Sequence, residues 1–153
     1  MSNPLVLPDR PADWGDRVIG PLADATLTAR AACLYALARP PRWIGPAMAL
    51  RNAVVAPLGL KTGSPDGGGD LLSSLPVARD TPDCFETGLI DRHLTFSVLA
   101  EITSRAETAR IALTTRIWFN SLFGRIYLLA VLPGHKLVMR HFIRVLGQGA
   151  DAA

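Results

Sequence analysis

The chain has 153 residues, of which 49% are hydrophobic and 19% are charged. This composition is typical of a folded domain with a sizeable core and excludes an intrinsically disordered chain. The formal net charge of +3 comes from arginines scattered along the sequence, whereas nucleic-acid-binding domains concentrate basic residues in one patch or run. We therefore expect one folded domain and no nucleic-acid partner.

The start of the sequence predicts a short segment ahead of the domain. Residues 1–13 contain three prolines and are predicted to be an extended lead-in to a single domain over residues 14–147, with a disordered tail over residues 148–153. No charged start followed by an apolar run is present, so we expect no signal peptide and a cytoplasmic location. Two cysteines, Cys33 and Cys84, do not make a disulfide framework.

A short strand at residues 14–19 is followed by two predicted helices. The first has apolar residues at helical spacing, with Asp24 or Thr26 as its N-cap, and it ends before Pro40. The second starts near residue 41 or 42 and extends to residue 60. Its predicted apolar stripe is formed by Trp43, Ala47, Leu50, Val54 and Leu58.

The stretch KTGSPDGGGD at residues 61–70 predicts a surface loop, because its glycines, proline and aspartates do not hold regular structure. It lacks the Gly-Lys-Ser/Thr ending of a phosphate-binding loop.

After this loop the hydrophobic period changes from 3.6 to 2, which indicates β-strands. Short strands are predicted at residues 75–80 and 84–90, followed by a hairpin of two longer strands. In the predicted hairpin register Val98 faces Leu113, and Glu101 faces Arg110 across the sheet. One face of the hairpin is apolar, and the other, with His93, Thr95, Ser97 and Glu101, is predicted to be solvated.

Residues 121–147 predict a long C-terminal helix with Asn120 or Ser121 as its cap. The first half, Leu122 to Leu132, is apolar on nearly every face and is predicted to be deeply buried. In the second half, Lys136, Arg140 and Arg144 form a predicted solvent-exposed face. Pro133-Gly134 is expected to kink the helix or to break it. The longest run without Arg, Lys or His in residues 124–146 covers only residues 126–134. A membrane span needs about 20 residues, so no transmembrane segment is predicted.

This order of elements predicts an α+β fold in which an antiparallel β-sheet wraps on a long C-terminal helix, with two short helices after the first strand. It resembles the helix-grip fold of START and Bet v 1-like proteins (SRPBCC) over about residues 14–147.

Three stretches carry a closer resemblance: LRNAVVAPLGLK at 50–61, GLIDRHLTFSV at 88–98, and TTRIWFNSLFGRIYLLAVLPGHKLVMR at 114–140. They are similar to a bacterial family of uncharacterised domains of unknown function, which also occurs fused to NAD(P)-binding, short-chain-dehydrogenase-like domains. The resemblance implies an oxidoreductase as a partner and transfers no catalytic residue. This chain has no glycine fingerprint after a strand, so we expect no cofactor of its own.

The apolar face of the hairpin carries the main functional hypothesis. If side chains fill the space between sheet and helix, that space is only a core. If the helix stands off the sheet, the space is a cavity for a lipid-like or polycyclic ligand, and ligand binding is the leading hypothesis. The predicted ligand-binding residues are Trp43, Phe96, Val98, Leu113, Ile117, Phe119 and Tyr127.

Other candidates compete with simple structural roles. His93 with Asp91 could act as the base of a cyclase or hydratase, although a solvated strand edge is the favoured interpretation. Arg51, Arg110, Arg116 and Trp118 could form an anion site. The favoured alternative is that the strand arginines pack on Trp118 and pair with Glu101 or Asp91. A docking module for an oxidoreductase would use the exposed strand face or the basic end of the last helix. His135 and His141 lie on different sides of that helix, and we expect no metal site.

Overall fold

The computed structural model describes residues 4–58 and 75–149. These residues contain a five-stranded antiparallel sheet and three helices. The strands are β1 (Trp14–Pro21), β2 (Val77–Thr81), β3 (Cys84–Ile90), β4 (Leu94–Ser104) and β5 (Arg110–Phe119), in the sheet order β1-β5-β4-β3-β2. The helices are α1 (Ala29–Leu37), α2 (Ile44–Val55), which continues into a 3-10 turn at Ala56–Leu58, and α3 (Leu122–Gln148). The predicted α+β architecture is confirmed. The predicted loop at residues 61–70 lies outside the described residues.

The start of α1 differs from the prediction. Thr28 is its N-cap, and the Thr28 hydroxyl accepts a hydrogen bond from the backbone N–H of Ala31 at 3.1 Å. The carboxylate of Asp24 instead accepts from the backbone N–H of Thr26 at 2.9 Å, which closes a turn ahead of the helix. The predicted caps Asp24 and Thr26 are therefore wrong, because both residues belong to that turn.

The predicted ends of α3 are confirmed. The hydroxyl of Ser121 accepts from the backbone N–H of Gly124 at 3.2 Å, as an N-cap does. The helix ends at Gly149, where a φ of 66° suits glycine. Pro133 lies inside one continuous helix, so the break predicted there as one alternative does not occur.

The β4–β5 hairpin has the predicted faces but a different register. Ala100 pairs with Leu113, and Val98 pairs with Thr115, so the predicted register is wrong by two residues. A shift of two residues keeps every side chain on its own face. The cause is a wider turn, in which the side chain of Arg105 donates to the carbonyl of Leu27 at 3.2 Å and pairs with Asp83 at 2.7 Å.

Because of this register Glu101 faces Ala112 and not Arg110. Its carboxylate instead forms an ion pair with Arg17 of β1 at 3.0 Å.

The hydrophobic core lies where α1 and the second half of α3 pack on the inner face of the sheet. Contacts of α3 with β1, β5 and α1 and of α1 with β2, β3 and β4 enclose it. Its buried members include Ala32, Ala36, Phe85, Ala100, Ile111, Met139 and Leu146.

Part of the outer face of the sheet, around Trp118, is covered by the N-terminal segment, defined here as residues 4–13. Its backbone is hydrogen-bonded to β2, where Leu5 donates to Val77, and reaches β5, where Asp13 donates to Ile117. Ser97 is completely buried on this face. The prediction of a solvated polar face is therefore wrong for Thr95 and Ser97, because residues ahead of β1 pack over this part of the sheet, whereas Glu101 is partly exposed.

One side of α3 has no cover among the described residues. Leu122, Ile126 and Leu129 are exposed, and Leu129 reaches 72% exposure, whereas Leu128 is buried. The prediction that Leu122 to Leu132 is deeply buried is therefore wrong, since α3 packs on the sheet with one face only. By length and composition α3 could cross a membrane, but a single such helix is weak evidence because core helices meet the same criteria.

The predicted apolar stripe of α2 also does not form the packed side of the helix. Leu50 and Val54 are exposed, whereas Met48 and Arg51 point to the space between α3 and the sheet.

Candidate ligand cavity

A cavity of about 480 Å³ separates the inner face of the sheet from α3. Its sheet wall includes Leu89, Phe96, Val98, Leu113, Thr115 and Ile117. Its helical wall includes Cys33, Leu37, Met48, Phe123, Tyr127, Leu128 and Val138. The volume lies within the range of roughly 300–1,000 Å³ that small-molecule sites occupy. The sequence left open whether side chains fill the space between sheet and helix or leave a cavity there. The structure contains a cavity.

The cavity exists because α3 touches the sheet layer at both of its ends. Near its start, a Cβ on Gly124 would clash with the backbone carbonyl of His93, and near its end one on Gly147 would lie 2.8 Å from Pro21. At Gly20 of β1 an added Cβ would clash with Ile143. Glycine at these three positions allows close contact, and the middle of α3 spans the space between them.

Most of the predicted ligand-binding residues lie in this cavity. Phe96, Val98, Leu113, Ile117 and Tyr127 line it. Phe119 and Trp43 do not. Phe119 ends β5, where its ring lies 5.6 Å from the guanidinium of Arg125, and Trp43 is 39% exposed at the N-cap of α2.

A polar corner, formed by Asp16, Thr115 and His135, interrupts the apolar wall. Asp16 and Thr115 are cross-strand partners on β1 and β5, and the Asp16 carboxylate lies 3.6 Å from Nε2 of His135. Thr115 and His135 line the cavity. Desolvation by burial lowers the pKa of His135 below its ordinary value, although the nearby charge of Asp16 raises it.

The ring of His135 is also held by Trp14, which packs edge-on at 5.6 Å between ring centroids.

The polar corner was not predicted from the sequence, although polar residues at inward strand positions indicate it. Thr115 falls at an inward position of β5, between Leu113 and Ile117, and Asp16 falls between Trp14 and Val18 in the same alternation. A polar residue on an otherwise apolar strand face is unusual, because burying it costs free energy unless it is hydrogen-bonded.

His93 and Asp91 line another part of the cavity, and not the outer face as predicted. Arg92 donates to Nε2 of His93 at 3.1 Å, and Nδ1 lies 3.3 Å from the hydroxyl of Ser121. Both ring nitrogens are thereby engaged, and the ring packs against Phe123 at the start of α3. This geometry ties the β3–β4 turn to α3 and does not favour a free general base.

The predicted anion-binding residues do not form one site. Arg51 lies in the cavity wall, where its Nε donates to the hydroxyl of Tyr127 at 2.8 Å. Arg116 lies on the outer face, 5.5 Å from the ring of Trp118, and donates to Glu86. Arg110 is exposed at the start of β5.

No group of three or more His, Cys, Asp or Glu side chains that could hold a metal occurs among residues 4–58 and 75–149. Cys33 lines the cavity, and burial raises the pKa of its thiol to about 12. It is therefore a small uncharged wall residue at neutral pH.

Sheet, long helix and cavity together define an α+β domain with an internal, mostly apolar space of ligand size. The chain belongs to the family described as protein of unknown function (DUF2867), whose model matches residues 10–142. Neither the curated proteins nor the solved structures include a match to this chain. The membership agrees with the resemblance to an uncharacterised family.

Proposed function

We propose that this domain binds a small apolar molecule, lipid-like or polycyclic, in the cavity between the sheet and α3. The observation that carries the proposal is the cavity of about 480 Å³ with its aliphatic and aromatic wall. Apolar cavities exclude water and bind apolar molecules of matching size. Removing the apolar surface of such a ligand from water supplies the favourable free energy, at about 25 cal/mol per Å².

The proposal is tested first by mass spectrometry of an organic extract of the purified protein, compared with an unrelated protein prepared identically. The second test is titration with N-phenyl-1-naphthylamine, whose fluorescence rises in apolar sites. We expect saturable binding of this probe by the wild-type protein.

A matched pair of variants locates the binding. Val98→Phe places an aromatic ring in the cavity, whereas Leu99→Phe places the same ring at the next residue of β4, which faces the outer side. We expect weaker probe binding in Val98→Phe and unchanged binding in Leu99→Phe, with both variants folded by circular dichroism. Equal binding by all three proteins would contradict a site in this cavity.

Docking on an NAD(P)-dependent oxidoreductase is a second prediction, supported by the resemblance to fused domains. Of its two predicted surfaces, the strand face is partly covered by the N-terminal segment, whereas Lys136, Arg140 and Arg144 are exposed on α3. The relationship to START and Bet v 1-like proteins also stays a prediction, supported by the order of elements. A cyclase or hydratase reaction through His93 and Asp91 stays a prediction that the engaged ring of His93 does not favour.

A further inference from the structure

The polar corner contains two buried polar atoms without a hydrogen-bond partner among the described residues. These are Oγ1 of Thr115 and Nε2 of His135, of which Nε2 faces the Asp16 carboxylate at 3.6 Å. Thr115 is only 4% exposed and, like His135, lines the cavity. An unpaired buried hydroxyl costs free energy, so buried polar groups in folded proteins nearly always have a partner.

The corner is built as part of the fold and is not a mobile surface group. Asp16 and Thr115 are held opposite each other by the pairing of β1 with β5. The ring of His135 is fixed between the Asp16 carboxylate, 3.6 Å from Nε2, and the ring of Trp14. Polar groups fixed in an apolar wall orient a ligand, because they favour only the pose that pairs them.

We infer that the ligand of the cavity carries one hydroxyl or carbonyl oxygen on an otherwise apolar skeleton, and that Thr115 receives this oxygen. The inference rests on the proposed function and adds the chemical class of the ligand. The Thr115 hydroxyl donates to a carbonyl and accepts from a hydroxyl. The rest of the ligand contacts Val98, Ile117 and Leu128.

The test compares two small molecules of nearly equal shape, 2-naphthol and 2-methylnaphthalene, by displacement of N-phenyl-1-naphthylamine. The measured quantity is the ratio of their affinities, because this ratio isolates the hydroxyl from the shared apolar rings. In Thr115→Val the side-chain shape is kept and the hydroxyl is lost. We expect the preference for 2-naphthol to fall about fivefold in this variant, the size of one hydrogen bond, with the affinity for 2-methylnaphthalene unchanged.

Thr114→Val is the matched control. Thr114 is the neighbouring residue of β5, and its hydroxyl is likewise buried without a partner among the described residues, but it faces the outer side of the sheet. We expect the affinity ratio of this variant to equal that of the wild type.

Three results would overturn the inference. An equal affinity ratio in the wild type, Thr115→Val and Thr114→Val would refute the polar contact while retaining the cavity as a binding site. A fall in both threonine variants would show that the effect does not arise in the corner. Absence of binding by the reporter and both naphthalenes would remove the proposed function itself. If Thr115→Val does not fold, Thr115→Ser and Thr115→Ala replace it, and only the alanine variant is expected to lose the preference.

Discussion

Trp118 and Arg10 are joined by a hydrogen bond of 2.9 Å, in which the indole N–H of Trp118 donates to the backbone carbonyl of Arg10. The bond fixes the N-terminal segment on the outer face of the sheet, and Trp118 is only 2% exposed beneath it. Nearby, the carboxylate of Asp13 accepts from the backbone N–H of Phe119 at 2.8 Å, and this bond lowers the pKa of Asp13. The segment is thus held by specific bonds to β5.

Trp118→Phe should destabilise the protein through this bond. Phenylalanine keeps an aromatic ring on the outer face but removes the donor to Arg10, so we expect the free energy of unfolding in urea to fall by about 1–2 kcal/mol. Trp43→Phe is the control, because Trp43 is partly exposed at the N-cap of α2 and should change stability by less than about 0.5 kcal/mol. A similar change in both variants would contradict the assigned role of the Trp118 bond.

The ion pair of Arg116 with Glu86 gives a second prediction. The side chain of Glu86 is 5% exposed, so Arg116→Met should leave a buried carboxylate without its cation and cost about 3 kcal/mol of unfolding free energy. Arg110→Met, on the same strand but exposed, should cost less than about 0.5 kcal/mol.

The double variant Glu86→Gln with Arg116→Met separates the charge from the packing. We expect it to be about 1–2 kcal/mol more stable than Arg116→Met alone, because the neutral amide needs no counter-ion. If the double variant is no more stable than Arg116→Met, the cost comes from lost packing of Arg116 and not from the unpaired charge.

Two adjacent leucines of α3 test how this helix is oriented. Leu128 is 5% exposed and Leu129 is 72% exposed. Leu128→Ala should lower the free energy of unfolding by about 2–3 kcal/mol, whereas Leu129→Ala should change it by less than about 0.5 kcal/mol. Denaturant unfolding of both variants measures the difference, and two large effects would instead indicate that a partner covers α3 in solution.

His135 predicts a pH dependence of stability. Desolvation holds its folded-state pKa below the ordinary 6.5, so the unfolded chain binds the proton at a higher pH than the folded protein does. The stability that comes from neutral His135 is therefore complete above pH 6.5 and declines as pH falls toward the folded-state pKa. Unfolding free energies measured between about pH 5 and pH 7.5 should decrease toward acid.

His135→Phe should reduce this decrease, because the variant cannot take up the proton, whereas His141→Phe should retain it. The same pH slope in the wild type and in His135→Phe would show that another group causes the effect.

Local patterns predicted the faces of β4 and β5 and the type of every described strand and α-helix, but not the 3-10 turn that follows α2. Alternation along β4 and β5 placed Phe96, Val98 and Leu113 on the inner face, because side-chain direction in a strand is a local property. The hairpin register was not predictable, since it depends on the contacts of Arg105 with residues outside the hairpin. The exposed side of α3 was not predictable either, because a helix that is apolar all round does not show which face packs.

At the cavity too, positions set by local strand patterns were predictable, whereas those set by tertiary contacts were not. Five of the seven proposed ligand-binding residues line it. Four of them, Phe96, Val98, Leu113 and Ile117, lie on predicted inward positions of β4 and β5. Thr115 was left out although it occupies an inward position, since its role depends on Asp16 and His135, which only the tertiary fold brings to it.

The position of β1 in the sheet has a consequence for how the protein folds. Among the described strands, β1 pairs with β5 alone. β1 is therefore synthesised about a hundred residues before its partner, and a contact of such high sequence separation slows folding. β2 to β5 can pair in the order of their synthesis, one hairpin after another. We expect the pairing of Asp16 with Thr115 to follow them, so that the polar corner forms only when β1 closes this long loop and α3 brings His135 to the sheet.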